Sequence, residues 1–104
     1  MAGVLPRGGN RSTNRVGPTV SRRLRAAGWN IGPATRRHSH RGVFVKTAGD
    51  FVSVLVDTGD ASDNEQAANG IREAVEAWAE AGNVSVTEDD GVRWVRFTYR
   101  PQQP

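Results

Sequence analysis

The feature that most constrains this chain is a two-residue rhythm. Val43 and Val45, then Val52, Val54 and Val56, fall on every second position, and Val84, Val86, Val95, Phe97 and Tyr99 do the same near the C-terminus. Successive side chains of a strand point to opposite faces, so this spacing means strands with one face packed against something. The rhythm is broken by turn chemistry. Residues 42–47 and 51–57 flank Ala48-Gly49-Asp50, and residues 84–87 and 92–99 flank Asp89-Asp90-Gly91, which reads as a three-residue loop with glycine at the expected position. Two hairpins of this kind need a second layer over their apolar face.

Helical periodicity supplies that layer. Pro18-Thr19 opens a short helix in which Val20, Leu24 and Ala27 recur on one stripe, with Gly28 as the stop. A longer helix follows Asp60-Ala61-Ser62, where Ser62 and Glu65 fit a capping box. Its apolar face is Ala67, Ile71, Ala74, Val75 and Trp78, beside an acidic stripe of Glu73, Glu76 and Glu80, and Gly82 ends it. Gly70 inside that helix suggests close helix packing, because glycine there costs about 1 kcal/mol relative to alanine. Trp29-Asn30-Ile31 begins a further strand that Gly32-Pro33 interrupts. The expected fold is α+β, with two helices on one face of an antiparallel sheet of four to five strands, in the order αβ(β)βαββ. Both halves pass from helix to strand through Ala-Gly, at Ala27-Gly28 and Ala81-Gly82, a hint of an internal αββ repeat. Residues 1–17 read as a flexible basic arm, 18–100 as a single domain and 101–104 as a disordered tail, since the arm has too little apolar surface to repay its ordering entropy.

Charge divides the chain sharply. Residues 1–46 hold nine Arg, one Lys and no carboxylate, whereas residues 47–104 hold four Arg against six Asp and five Glu, which leaves a net +3 overall. Arg7, Arg11 and Arg15 recur along the arm, and Arg22, Arg23, Arg25, Arg36, Arg37 and Arg41 carry the basic field onward. Such a field binds phosphate backbones through counterion release, and arginine adds a bidentate fork. A head-to-tail protein contact, basic half against acidic helix, uses the same asymmetry. Thirteen Arg against one Lys also matches the codon usage of a GC-rich genome.

Alternation assigns the second sheet face to Phe44, Lys46, Phe51, Ser53, Leu55, Ser85, Thr87, Trp94, Arg96 and Thr98. This mixture is too apolar for an indifferent solvent face. It fits a platform for single-stranded nucleic acid, with Trp94 and Phe44 stacking bases and Arg96 and Lys46 meeting phosphates. It equally fits a homodimer seam through Phe44, Phe51, Leu55 and Trp94, or a surface covered by the N-terminal arm.

Exclusions narrow the classes. With no cysteine there is no disulfide, thiolate nucleophile or zinc finger, and no metal site or cofactor is expected. Apolar runs of about four residues are far short of the ~20 of a membrane span, and no secretory h-region is present, so a cytoplasmic location without membrane contact is expected. His38-Ser39-His40 between Arg37 and Arg41 is either a pair of surface histidines or an acid–base pair suited to RNA cleavage through a 2′-hydroxyl.

The run Leu24-Arg25-Ala26-Ala27-Gly28-Trp29, then Ser39-His40-Arg41, then a hairpin with Gly49 between its strands, then a helix, resembles the HicA family of mRNA interferase toxins. The resemblance covers residues 20–82. It implies a double-stranded-RNA-binding-like αβββα fold and a catalytic histidine at His40 with Ser39 as its motif neighbour. His38 stands where the family has glycine, and the second helix is acidic. The overall style also resembles small proteins of actinobacteria and their phages. The leading expectation is a small non-enzymatic nucleic-acid-binding or regulatory protein, of phage or mobile-element type. The alternatives are a HicA-like ribonuclease using His40 and a protein-binding inhibitor or assembly component whose partner is a host protein.

Overall fold

A computed structural model describes residues 16–32 and 41–101 of the chain. Helix α1 spans Val16–Ala26, strands β1 and β2 span Gly42–Ala48 and Phe51–Asp57, helix α2 spans Ala61–Glu76, and strands β3 and β4 span Ala81–Asp89 and Val92–Tyr99. The four strands form one antiparallel sheet in the order β1-β2-β4-β3. The architecture is α+β. Of the expected fifth strand, the described residues retain a single parallel bridge between Ile31 and Val43, with the Gly32 N–H donating to the Val43 carbonyl at 2.7 Å.

Both helices lie over the face that alternation selects. Val20 and Leu24 of α1, Ala68, Ile71 and Val75 of α2, and Val43, Val52, Val54, Val56, Val95, Phe97 and Tyr99 of the sheet form one buried cluster. Trp78 closes it at one end, edge-on to Phe97 at 6.3 Å and to Tyr99 at 5.9 Å. Gly70 has a clear reason. A Cβ there would stand 2.6 Å from the indole of Trp29, so the residue following α1 packs flush on α2 only because residue 70 lacks a side chain.

The sheet is two hairpins joined back to back. Val45, Val54, Val95 and Val86 lie in one row across it, and the pair Val54–Val95 marks a local two-fold that exchanges the hairpins. Under that operation Phe44–Leu55 corresponds to Ser85–Arg96, and Val52–Phe97 corresponds to Val56–Arg93. The hinted αββ repeat is thus present in the topology, whereas the two Ala-Gly pairs do not correspond. Ala27-Gly28 follows a helix directly, while Ala81-Gly82 already lies in β3.

Several local expectations shift. Helix α1 starts two residues before Pro18. The first helical N–H groups have no intrahelical acceptor, so proline fits in the first turn, and the buried stripe becomes Val16, Val20 and Leu24 with Ala27 exposed. The cap of α2 is Asp60, whose carboxylate accepts from the Asp63 N–H at 2.9 Å, in place of Ser62. That moves the buried stripe to Asn64, Ala68, Ile71 and Val75, and the helix ends at Glu76, before Trp78. The second hairpin loop is two residues, Asp90-Gly91, with φ of 55° and 84°, because Asp89 still pairs with Val92. Two successive left-handed residues give the turn whose twist matches the strands. The first loop is likewise two residues, Gly49-Asp50, with Ala48 inside β1.

Candidate nucleic-acid interface

The helix-free face, the sheet face that neither of the two described helices covers, is built in rows by the strand register. One row reads Lys46, Ser53, Arg96 and Ser85 across β1, β2, β4 and β3. The next on one side reads Phe44, Leu55, Trp94 and Thr87, and on the other side Phe51 stands beside Thr98. Rows two residues apart are roughly 7 Å apart, so a positive row lies between the aromatic residues Trp94 and Phe51 on the two central strands. Carboxylates on this face stand only at the strand ends, at Asp57 and Asp89.

Side-chain contacts differentiate the expected residues. The Arg96 guanidinium stands 5.0 Å from the centre of the Trp94 ring and donates to Thr87 Oγ1 at 3.0 Å. This orients a cation and an indole together on the surface. Phe51 is 44% exposed, the most exposed large apolar side chain among the described residues. Phe44, expected to stack a base, is 2% exposed, and Leu55 beside it is 4% exposed. The Phe44 ring fills the space where a side chain on Gly32 would stand, so the strap of chain after α1 closes on it. A ring so covered has no open face for a base, whereas the Phe51 ring is exposed. The seam drawn through Phe44, Phe51, Leu55 and Trp94 is correspondingly reduced to Phe51 and Trp94.

The basic residues divide into three kinds. Arg22 and Lys46 are exposed. Arg25 is exposed, with one N–H donating to the Ile31 carbonyl at 3.2 Å, and Arg41 faces Asp57 at 3.4 Å. Arg23 differs from what its position off the stripe suggested. It donates to Glu80 at 2.8 Å and to the Tyr99 hydroxyl at 3.0 Å, and lies 4.3 Å over the Trp78 ring. The Glu80 hydrogen bond holds this guanidinium above its ordinary pKa, and the same bond holds the Glu80 carboxyl below its own. Its charge is already matched inside the molecule, so Arg23 joins α1 to the end of the sheet and is poorly placed to meet phosphate.

Arg7, Arg11, Arg15, Arg36 and Arg37, together with His38, Ser39 and His40, lie outside the described residues. Among the described residues two full strands, β1 and β2, separate α1 from α2, where the αβββα pattern has three. No helix among the described residues is long and apolar enough to cross a membrane, and no three His, Cys, Asp or Glu gather there as metal ligands would. One polar residue was invisible in the sequence pattern. Asn64 is 3% exposed, accepts from the Thr58 N–H at 2.7 Å and donates to the Gly91 carbonyl at 2.8 Å, pinning the second hairpin turn to the loop before α2.

Comparison with protein-family models, with curated proteins and with solved structures finds no match for this chain.

Proposed function

We propose that this protein is a non-enzymatic nucleic-acid-binding protein that takes a single strand across its helix-free sheet face. Trp94 and Phe51 stack bases, and Arg96 and Lys46 meet the phosphates between them. The exposed Arg22 and Arg25 and, Arg23 apart, the other arginines of residues 1–41 extend the positive field. The observation that carries the reading is the row of Lys46 and Arg96 flanked by Trp94 and Phe51 on a face with no central carboxylate. Four-stranded sheets with aromatic residues on their central strands stack about two or three bases in this manner, and each stacked base is worth about 1–3 kcal/mol.

The test is anisotropy of labelled single-stranded DNA and RNA against salt. Affinity is expected to fall steeply as salt rises, and Trp94→Ala and Arg96→Glu to weaken binding by about tenfold or more. Absent binding, or binding indifferent to salt and to both substitutions, overturns the reading. The same assay with RNA resolved on a gel separates it from a ribonuclease: cleavage that vanishes in His40→Ala would make the protein an enzyme. A host protein captured equally well from nuclease-treated lysate would instead make it a protein-binding factor.

A further inference from the structure

A second surface adjoins the aromatic face at the edge of β1 and shares only Lys46 with it. Between α1 and the outer edge of β1 runs an open cleft of about 570 Å³, lined by Gly17, Pro18, Ser21 and Arg25 on one side and by Val45, Lys46 and Thr47 on the other. The two-residue hairpin closes with Ala48 opposite Phe51, so the even-numbered residues of β1 exchange hydrogen bonds with β2. The odd-numbered ones therefore turn their N–H and C=O groups outward, and the Gly32 N–H meeting the Val43 carbonyl shows this directly. Beyond that bond no described residue pairs with the edge. Among the described residues nothing pairs with the outward backbone groups of Val45 and Thr47, and both residues line the cleft.

An unpaired strand edge is a template for another strand. Three properties define what fits this one. The floor is Val45, which suits an alternating apolar side chain. The rims carry Arg25 and Lys46, and the chain holds no carboxylate before Asp50. Arg25 uses one donor on the Ile31 carbonyl and retains others of its five. A second copy pairing edge to edge through β1 would set Arg25 and Lys46 against their own equivalents. The opposite edge, β3, carries a bulge between Gly82 and Ser85 with Asn83 at φ 55°, which interrupts the straight register that strand addition needs.

We propose that this cleft is a strand-addition site for an extended acidic segment of a partner protein, which hydrogen-bonds to Val45 and Thr47 and pairs its carboxylates with Arg25 and Lys46. Main-chain bonds supply the affinity and the basic rims supply the selectivity.

The test uses the full chain and a labelled peptide alternating valine with glutamate, beside one alternating valine with lysine. The acidic peptide is expected to bind, and the lysine peptide to bind at least about tenfold more weakly. Thr47→Pro removes one outward donor without breaking a β1–β2 bond and should cost about tenfold or more, as should Arg25→Glu. N-methylation of alternate amides in the peptide makes the same test without altering the protein, should Thr47→Pro fail to fold. Trp94→Ala should leave peptide binding unchanged, which keeps this site separate from the aromatic face. Equal affinity for both peptides, no binding, or binding insensitive to both Thr47→Pro and N-methylation overturns the proposal. Self-association abolished by Thr47→Pro overturns it too, because the occupant would then be a second copy.

Discussion

The two hairpins occupy equivalent places about the Val54–Val95 pair, yet they do different work. The second hairpin is held from several directions. Helix α2 covers it, Asn64 ties its turn, and Phe97 fills the centre of the core where the equivalent place in β2 carries the smaller Val56. The first hairpin lies under the shorter helix α1. Among the described residues its outer strand has no partner on its outward side beyond Val43 and lies beside basic side chains, whereas the outer strand of the second is bulged and ends in Glu88 and Asp89. One topological unit used twice thus gives one half with a bulged outer strand tied down by α2 and Asn64, and one half with a straight outer strand beside basic side chains. Equivalent position fixes backbone geometry and leaves chemistry to the side chains.

The sharpest way to break this comparison is at its core. Phe97→Ala should destabilise by about 3–5 kcal/mol and Val56→Ala by about 2 kcal/mol, measured by urea unfolding. Equal costs would mean the hairpins share the core evenly. Next is Asn64→Ala, expected to cost about 2 kcal/mol because the Gly91 carbonyl and the Thr58 amide lose their partner in a buried place. A loss below half a kcal/mol would show that water replaces the side chain and that the turn needs no tie. Asp60→Ala removes the cap of α2 and should cost about 1 kcal/mol, read from the same transitions.

The smallest effect is a pH dependence. Glu80 is held below its ordinary pKa chiefly by the Arg23 hydrogen bond. A depressed carboxyl contributes stability above its unfolded pKa and loses it as pH falls through the folded value, so acid should weaken the link between α1 and the end of the sheet. Glu80→Gln should flatten the acid limb of the stability profile by lowering neutral stability slightly, toward the level the unsubstituted protein reaches in acid. A profile identical to that of the unsubstituted protein would show that the pair has no thermodynamic role.

Much of the fold was legible because it rests on short-range regularity. The alternation of Val43 with Val45, of Val52 with Val54 and Val56, and of Val95 with Phe97 assigns each side chain to its face without knowledge of partners. Element ends were less legible. Asp60 and Ser62 are both good caps, and which one is used depends on where Asn64 can be buried. The candidate site divides in the same way. Trp94, Arg96, Lys46 and Phe51 share a face by parity alone, but that Phe44 is covered while Phe51 is not depends on where the strap at Gly32 passes.

The sequence by itself determined the two hairpins and two helices of the described residues, which residues share a sheet face, and that the basic and acidic charges are separated. These follow from periods of two and 3.6 residues and from composition, which neighbours along the chain carry. Only the tertiary structure decided that Arg23 is matched by Glu80, Tyr99 and Trp78, that Gly70 admits Trp29, and that among the described residues Val45 and Thr47 on the edge of β1 have no outward strand partner. Each of these joins residues far apart in sequence or depends on the absence of a neighbour. No local pattern encodes such a contact, because its free energy exists only once the sheet order and the helix placement are set.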